Sequence, residues 1–246
     1  MSSQNVILFG GGGAAVEIAR YIKDRNATKD NSDQFVVTDL VDRDGGRIDD
    51  LQRILGHSFN THASIDTVEN FEEKRVVNTL GLLPVRNQQH ENLIDKGARL
   101  LTVVHPTAHV SPTAELGAGC IIAPFSLVGE FAKLGPNVTV NVGVTIGHDV
   151  SIGQSSVLSP NVAICGGSTC GDGVYFGVGV TVNPGIEIGA FCKLSSGAVI
   201  TAKVESGSIA FGNPAKNKKV FCPVSGQSLF AMPRYNTSLQ PTSPLS

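Results

Sequence analysis

From Val110 onward every sixth residue is apolar: Val110, Leu116, Ile122, Val128, Leu134, Val140, Ile146, Ile152, Leu158, Ile164, Cys170, Phe176, Val182, Ile188, Leu194 and Ile200. Sixteen matches without an insertion mark an internal repeat, and a repeat of this length dictates architecture. The other columns follow suit. The residue after each apolar position is small or compact, as at Gly117, Ala123, Gly129, Gly135, Asn141, Gly147 and Gly153. The fifth column is mostly Val, Ala, Ser or Cys, and ten of sixteen fourth-column residues are Gly, Asn or Asp. Those last three types tolerate a positive φ. The first and fifth columns therefore point inward as alternate residues of short strands, and the third and fourth turn the corner between strands. Three strands close a triangular coil of eighteen residues, and the coils stack through backbone hydrogen bonds to roughly 25 Å at about 4.8 Å per coil. The pattern predicts a parallel β-helix.

Residues 5–104 have a different grammar. Val6–Phe9 is an apolar run that leads into Gly10-Gly11-Gly12-Gly13-Ala14 and then a helical pattern through Ile22. Further strands are expected at Phe35–Val41, Arg75–Val77 and Leu100–Val104, and a helix from Val85 to Lys96. Alternating strands and helices predict a small parallel sheet of Rossmann-like α/β type. Glycines between a first strand and first helix let a phosphate approach the helix N-terminus. The amides of Gly11, Gly12 and Gly13 are thus candidates for nucleotide-sugar phosphates, with Asp42 or Arg43 facing base or ribose. The fragment Gly10-x-Gly12-x-x-Ala15 only approximates a dinucleotide fingerprint. The organisation is residues 1–104, a nucleotide-sugar-binding domain; 105–216, the β-helix; and 217–246, a Ser- and Pro-rich tail expected to be extended or partly disordered.

Composition narrows the function. Twenty-eight glycines, no tryptophan and 16% charged residues suit a β-rich fold with tight corners, and a net charge of −2 argues against a nucleic-acid partner. Five cysteines with no regular framework read as reduced thiols of a cytoplasmic protein. The absence of a leader pattern and of about 18 consecutive apolar residues predicts no membrane insertion.

Only one histidine, His148, falls within the repeats, followed by Asp149 at a corner. Counting by eighteen stacks Pro112, Glu130, His148, Gly166 and Pro184 on one edge. A base and an oxyanion donor are the requirements for acyl transfer. His148 could supply the first, oriented by Asp149, and the Gly166 N–H the second. Cys120, Cys170 and Cys192 fall in inward columns and read as small apolar fillers.

The hexapeptide pattern resembles the hexapeptide acyltransferases, which implies a left-handed helix, a homotrimer and acyl-CoA bound between subunits. More specifically, Asn141-Val142-Gly143…His148-Asp149-Val150-Ser151-Ile152-Gly153 is similar to a segment of a two-domain family. That family comprises the sialic acid O-acetyltransferases and nucleotide-amino-sugar N-acetyltransferases of bacterial surface-glycan pathways. His105-Pro106-Thr107-Ala108, Ile164-Cys165-Gly166-Gly167 and Gly212-Asn213-Pro214-Ala215-Lys216 resemble its other motifs, so the likeness runs from Asn5 to about Lys216. It implies His148 as general base, Asp149 as its acidic neighbour and Asn141 in the acceptor site. Contacts to acetyl-CoA, as co-substrate, are implied at Gly166, Gly197, Gly212, Pro214 and Lys216, with no metal.

Two departures stand out. Ala14 and Val157 occupy positions where members acting on nucleotide amino sugars often carry histidine. The acceptor reading is an N-acetylated nucleotide amino sugar, with sialic-acid-type O-acetylation as the alternative. A non-catalytic scaffold remains a rival of another class. A zinc hydratase would need three converging histidines, where the repeats offer one.

Overall fold

The computed structural model describes residues 3–30, 33–81 and 83–219. Its N-terminal part is a five-stranded, wholly parallel sheet, built from β1 (Gln4–Phe9), β2 (Phe35–Val41), β3 (Asn60–His62), β4 (Arg75–Asn78) and β5 (Arg99–Leu100). The spatial order is β3-β2-β1-β4-β5. Helices α1 (Gly13–Asn26), α2 (Ile48–Leu55) and α3 (Leu83–Asp95) accompany it. Ile18, Ala19 and Ile22 of α1 pack with Val6, Leu8 and Val37 of the sheet. The chain winds outward from β1 to β3 and then returns to β4 on the other side of β1. The winding reverses between β1 and β4, where the loops after β1, β2 and β4 leave a crevice at the strands' C-terminal ends.

One buried carboxylate organises the β2 side. Asp39 accepts hydrogen bonds from Lys74 Nζ at 2.7 Å and Thr38 Oγ1 at 2.7 Å, and lies 3.0 Å from His62 Nε2. Burial alone would raise its carboxyl, but the bonds from Lys74, Thr38 and His62 outweigh burial and hold it below the usual range.

The rest is the expected helix. Seventeen two-residue strands, β6–β22, recur every six residues from Val103–Val104 to Val199–Ile200. They form three parallel sheets in which each strand pairs with the one eighteen residues on. This arrangement fits a left-handed β-helix. The first and fifth columns fill the interior, from Cys120 and Ile122 to Ile200 and Val204. Inward serines satisfy themselves within the stack, as Ser126 Oγ does by donating to Asn141 O at 2.8 Å.

Each column now has a physical reason. The second-column amides donate across coils, as Gly147 N does to Ile164 O at 2.8 Å. The next coil is so close that a Cβ on Gly147 would sit 2.7 Å from Gly166 N. The third-column amides take no part in this ladder, which is why proline is admitted there at Pro112, Pro124, Pro136, Pro160 and Pro184. The fourth column has positive φ wherever Gly, Asn or Asp was expected to provide it, and also at Phe125, Phe131, Ser155 and Phe191.

Two expectations are corrected. The single strand foreseen over Leu100–Val104 is two: β5 closes the N-terminal sheet, and Val103–Val104 pairs with Ile121–Ile122 as the first rung of the helix. The closing segment is a hairpin, β23 (Ser208–Phe211) and β24 (Lys216–Lys219), so ordered strand crosses the boundary drawn at residue 217. The tail foreseen from about Phe221 lies outside the described residues. Among the described residues no helix is long and apolar enough to cross a membrane, and no cluster of three or more His, Cys, Asp or Glu is placed to hold a metal ion.

Candidate active site

The corner after Thr145–Ile146 carries His148 and Asp149, with their side chains 71% and 61% exposed. Asp149 sits at φ 57°, a left-handed conformation that Asp tolerates better than most residues. It turns its carboxylate back on the neighbouring ring, and His148 Nδ1 lies 2.8 Å from Asp149 Oδ2. In a neutral ring that contact favours the tautomer with its proton on Nδ1 and its lone pair on Nε2. One coil up, Gly166 lies directly against the imidazole: a Cβ there would meet His148 Nε2 at 2.5 Å and Cε1 at 2.6 Å. The Gly166 amide is a third-column N–H, outside the ladder. By contrast, the corresponding amides of Gln154 and Ala190 are taken up by Asp172 and Ser206. An imidazole, a carboxylate and an amide outside the ladder therefore meet on one edge of the prism.

A second group assembles at the crevice of the N-terminal sheet. A cavity of 470 Å³ opens at the ends of β1 and β2, lined by Gly10, Asp42, Arg43 and Asp44 and closed by Gln89 and Asn92 of α3. Gly12 and Gly13 begin α1 with no side-chain cap and no acid in the first turn, and open space faces both. Gly11 behaves differently from its neighbours. Its amide donates to Asp42 Oδ2 at 2.6 Å, while Asp42 Oδ1 accepts from Asp44 N at 2.9 Å. Asp42 thereby ties the glycine loop to the loop after β2. Arg43 is exposed and paired with Asp44 at 3.4 Å.

Between α1 and the helix lies a third feature, a smaller cavity of 100 Å³ lined by Ala14, Asn141 and Val157 among others. Ala14, Val157 and Asn141, far apart in sequence, thus line one space. Arg86, Thr139, Tyr21 and Glu17 also line it; these escaped the sequence reading. The available signal was the outward column Ile121, Thr139 and Val157, uncharged at eighteen-residue spacing, as a covered face would be. Burial and then Glu17 push the Tyr21 hydroxyl up to about 12. His105 is structural: it lies 3.3 Å from Asp24 of α1 and edge-on to Tyr21.

His148 and the small cavity do not meet within one chain. They occupy the two edges of the same prism face, whose outward residues are His109, Leu127, Thr145, Ala163, Thr181 and Val199. Of the remaining expected positions, Gly197 turns a corner at the top coil (φ 71°), and Gly212 and Pro214 lie in the β23–β24 turn before Lys216.

No protein-family profile matches the sequence, and no curated protein matches it significantly. Solved structures do. Perosamine N-acetyltransferase from Caulobacter crescentus, crystallised with CoA and GDP-perosamine, superposes with a TM-score of 0.76 at 26% identity, covering 87% of this chain and 96% of that one. The acetyltransferase domain of PglB from Neisseria gonorrhoeae matches at TM-score 0.75 and 24% identity over 88% of this chain and 100% of that one. WeeI from Acinetobacter baumannii matches at 0.73 and 22%, over 88% and 100%; these two share the fold. Over nearly nine-tenths of its length, the chain thus has the architecture of the sugar N-acyltransferases of the hexapeptide-repeat type.

Proposed function

We propose that this protein is an acetyl-CoA-dependent N-acetyltransferase acting on a nucleotide-linked amino sugar in surface-glycan biosynthesis. The observation that carries this reading is the His148–Asp149–Gly166 corner, set in a chain that superposes over nearly its full length on a GDP-perosamine N-acetyltransferase. The acceptor amine attacks the thioester carbonyl of acetyl-CoA. His148 Nε2 takes the proton that the nitrogen loses, Asp149 stabilises the resulting imidazolium, and the Gly166 N–H donates to the developing oxyanion. Collapse breaks the C–S bond, and the proton passes from His148 to the leaving thiolate.

The nucleotide belongs in the 470 Å³ crevice, a Rossmann-like position at the point where the strand order reverses. Its phosphates would lie over Gly12 and Gly13 at the positive end of α1. Asp42, held by Gly11, would shape the crevice, and Arg43 would meet base or ribose at its rim. Asn141 would contact the acceptor sugar. The coenzyme would run from Gly166 towards Gly197 and the Gly212–Pro214–Lys216 turn.

The active unit is a homotrimer in this reading. The face between the His148 and Asn141 corners carries no Asp, Glu, Lys or Arg, whereas the next face bears the Glu115–Lys133 and Glu187–Lys203 pairs. On the uncharged face Leu127 is 40% exposed, flanked at its two edges by Phe125 at 71% and Phe131 at 58%. Both phenylalanines hold positive φ, a conformation costly for bulky residues. An apolar patch of this kind suits burial against a copy of itself. Three such faces turned towards one axis bring the His148 edge of each copy against the Asn141 edge of the next. A cytoplasmic location completes the reading, because the unpaired thiols of Cys120, Cys170 and Cys192 suit a reducing compartment.

The test is free-thiol release from acetyl-CoA over a panel of nucleotide amino sugars and free sialic acids. Release that requires a nucleotide amino sugar and fails in His148→Ala is expected. Release with free sugars alone would overturn the amine assignment.

A further inference from the structure

The outward column that walls the small cavity continues beyond it. Ile121, Thr139 and Val157, stacked in register at eighteen-residue spacing, line the cavity beside α1, and the next residue of the column, Tyr175, stands one coil above Val157. Tyr175 is half-buried, and its hydroxyl reaches the edge of the prism, where Ser159 Oγ donates to the phenol oxygen at 3.2 Å. Ser159 is buried and sits one coil above Asn141 on that edge. Accepting from Ser159 fixes the phenol oxygen and leaves its own proton uncommitted, because no acceptor for that proton is placed among the described residues.

Height along the stack decides what this proton can reach. Residues eighteen apart are separated by about 4.8 Å along the axis, and Ser159 falls between His148 and Gly166 in sequence. It therefore lies between those two in height, within one coil of each. In the trimer proposed above, with its axis along the stack, all three copies share one scale of height. The Asn141 edge of each copy then faces the His148 edge of the next. The Tyr175 hydroxyl stands across that cleft from the imidazole and the Gly166 amide of the adjoining copy. Beneath it lies the cavity beside Asn141, and above Gly166 the coenzyme would rise towards Gly197. The phenol is thus where acceptor and thioester meet.

Resting on the transferase and trimer readings above, we infer that Tyr175 is a further catalytic residue, whose hydroxyl donates to the thioester carbonyl oxygen as negative charge develops there. Within one copy that oxygen has a single donor, the Gly166 N–H. An oxyanion gains most from donors fixed before the charge appears, and Ser159 does the fixing. Tyr175 keeps its proton throughout. The C–N bond forms, the C–S bond breaks, and the amine's proton still travels through His148 to the thiolate.

The experiment removes the hydroxyl alone. Tyr175→Phe keeps the ring, so Tm and the trimer should be unchanged, whereas kcat should fall about a hundredfold with little change in either KM, the scale for one oxyanion donor. Ser159→Ala, which loosens the phenol without removing it, should lower kcat about fivefold. Unchanged kcat in a folded Tyr175→Phe trimer, or a loss confined to KM, would overturn the inference and leave the transferase reading intact. A second probe is a CoA thioether carrying a trifluoromethyl ketone, which hydrates to a tetrahedral mimic of the intermediate. Calorimetry should show it binding more tightly than CoA, and Tyr175→Phe should lose about tenfold of that advantage while binding CoA normally. If no amino sugar is turned over but the advantage depends on Tyr175, the acceptor reading falls and the assignment to the thioester stands. If nothing is turned over and the advantage is absent or indifferent to Tyr175, both fall.

Discussion

The two furnished edges of the uncharged face make opposite use of polar groups. At the His148 edge the side chains stand in solvent, yet the ring is fixed from two sides, by Asp149 and by the Gly166 backbone. At the Asn141 edge the polar groups are sunk between α1 and the helix, where Arg86 and Thr139 are incompletely satisfied. One edge displays an imidazole held by a carboxylate but offers nothing to enclose a substrate. The other encloses but has no histidine. The contrast fits the proposed reading, in which each edge would hold half a reaction centre and association of copies would join them.

Several measurements would break or sharpen that contrast. The largest effect is expected from His148→Ala, which should cost about a hundredfold or more in kcat, as loss of a general base does. Gel filtration should show an unchanged trimer, and a folded trimer with retained rate would remove His148 from the mechanism. Next comes complementation: His148→Ala and Asn141→Ala proteins, each inactive, are unfolded together and refolded as mixed trimers. If base and cavity come from adjacent copies, about a quarter of the sites regain both groups, and activity should return to roughly that fraction. No recovery would place the centre within one chain. Gly166→Ala would push the imidazole from its seat, and misplacement of this kind should lower kcat by about tenfold. A normal rate would show that the ring has another resting place. Asp149→Asn should be mildest, about fivefold, the loss of one solvent-exposed hydrogen bond. A far larger loss would mean that the corner is desolvated in the assembly.

How readily each part could be read from sequence followed from how it is held together. The helix is maintained by contacts at fixed separations of seventeen to nineteen residues, so each column repeats one physical demand and the edge of Glu130, His148 and Gly166 could be counted out. Prolines in the third column and phenylalanines at positive φ were visible but lacked meaning until the ladder showed which amides are idle. The N-terminal sheet has no such period. Its core strands announced themselves as apolar runs, whereas β3, with the residues Asn60-Thr61-His62, and the charged α2 did not. Arg86 sat inside a correctly placed helix, but nothing local in sequence separates a buried arginine from an exposed one. Its burial comes from β4 and the helix corner at Asn137, 51 residues away.

The uninterrupted count of residues through the coils also acts as a compass. Each hexapeptide advances the chain by about 120° around the helix axis, so bearing is set by residue number alone. Removing one coil of eighteen residues between Gly166 and Gly197 would shorten the prism and leave every edge aligned. Removing six between Asp149 and Val157 would swing all later coils by a third of a turn, parting Gly166 from His148 and Val157 from the cavity. Length changes in this molecule are therefore tolerable only in whole revolutions, and the spacing between its functional groups is preserved as an angle as much as a distance.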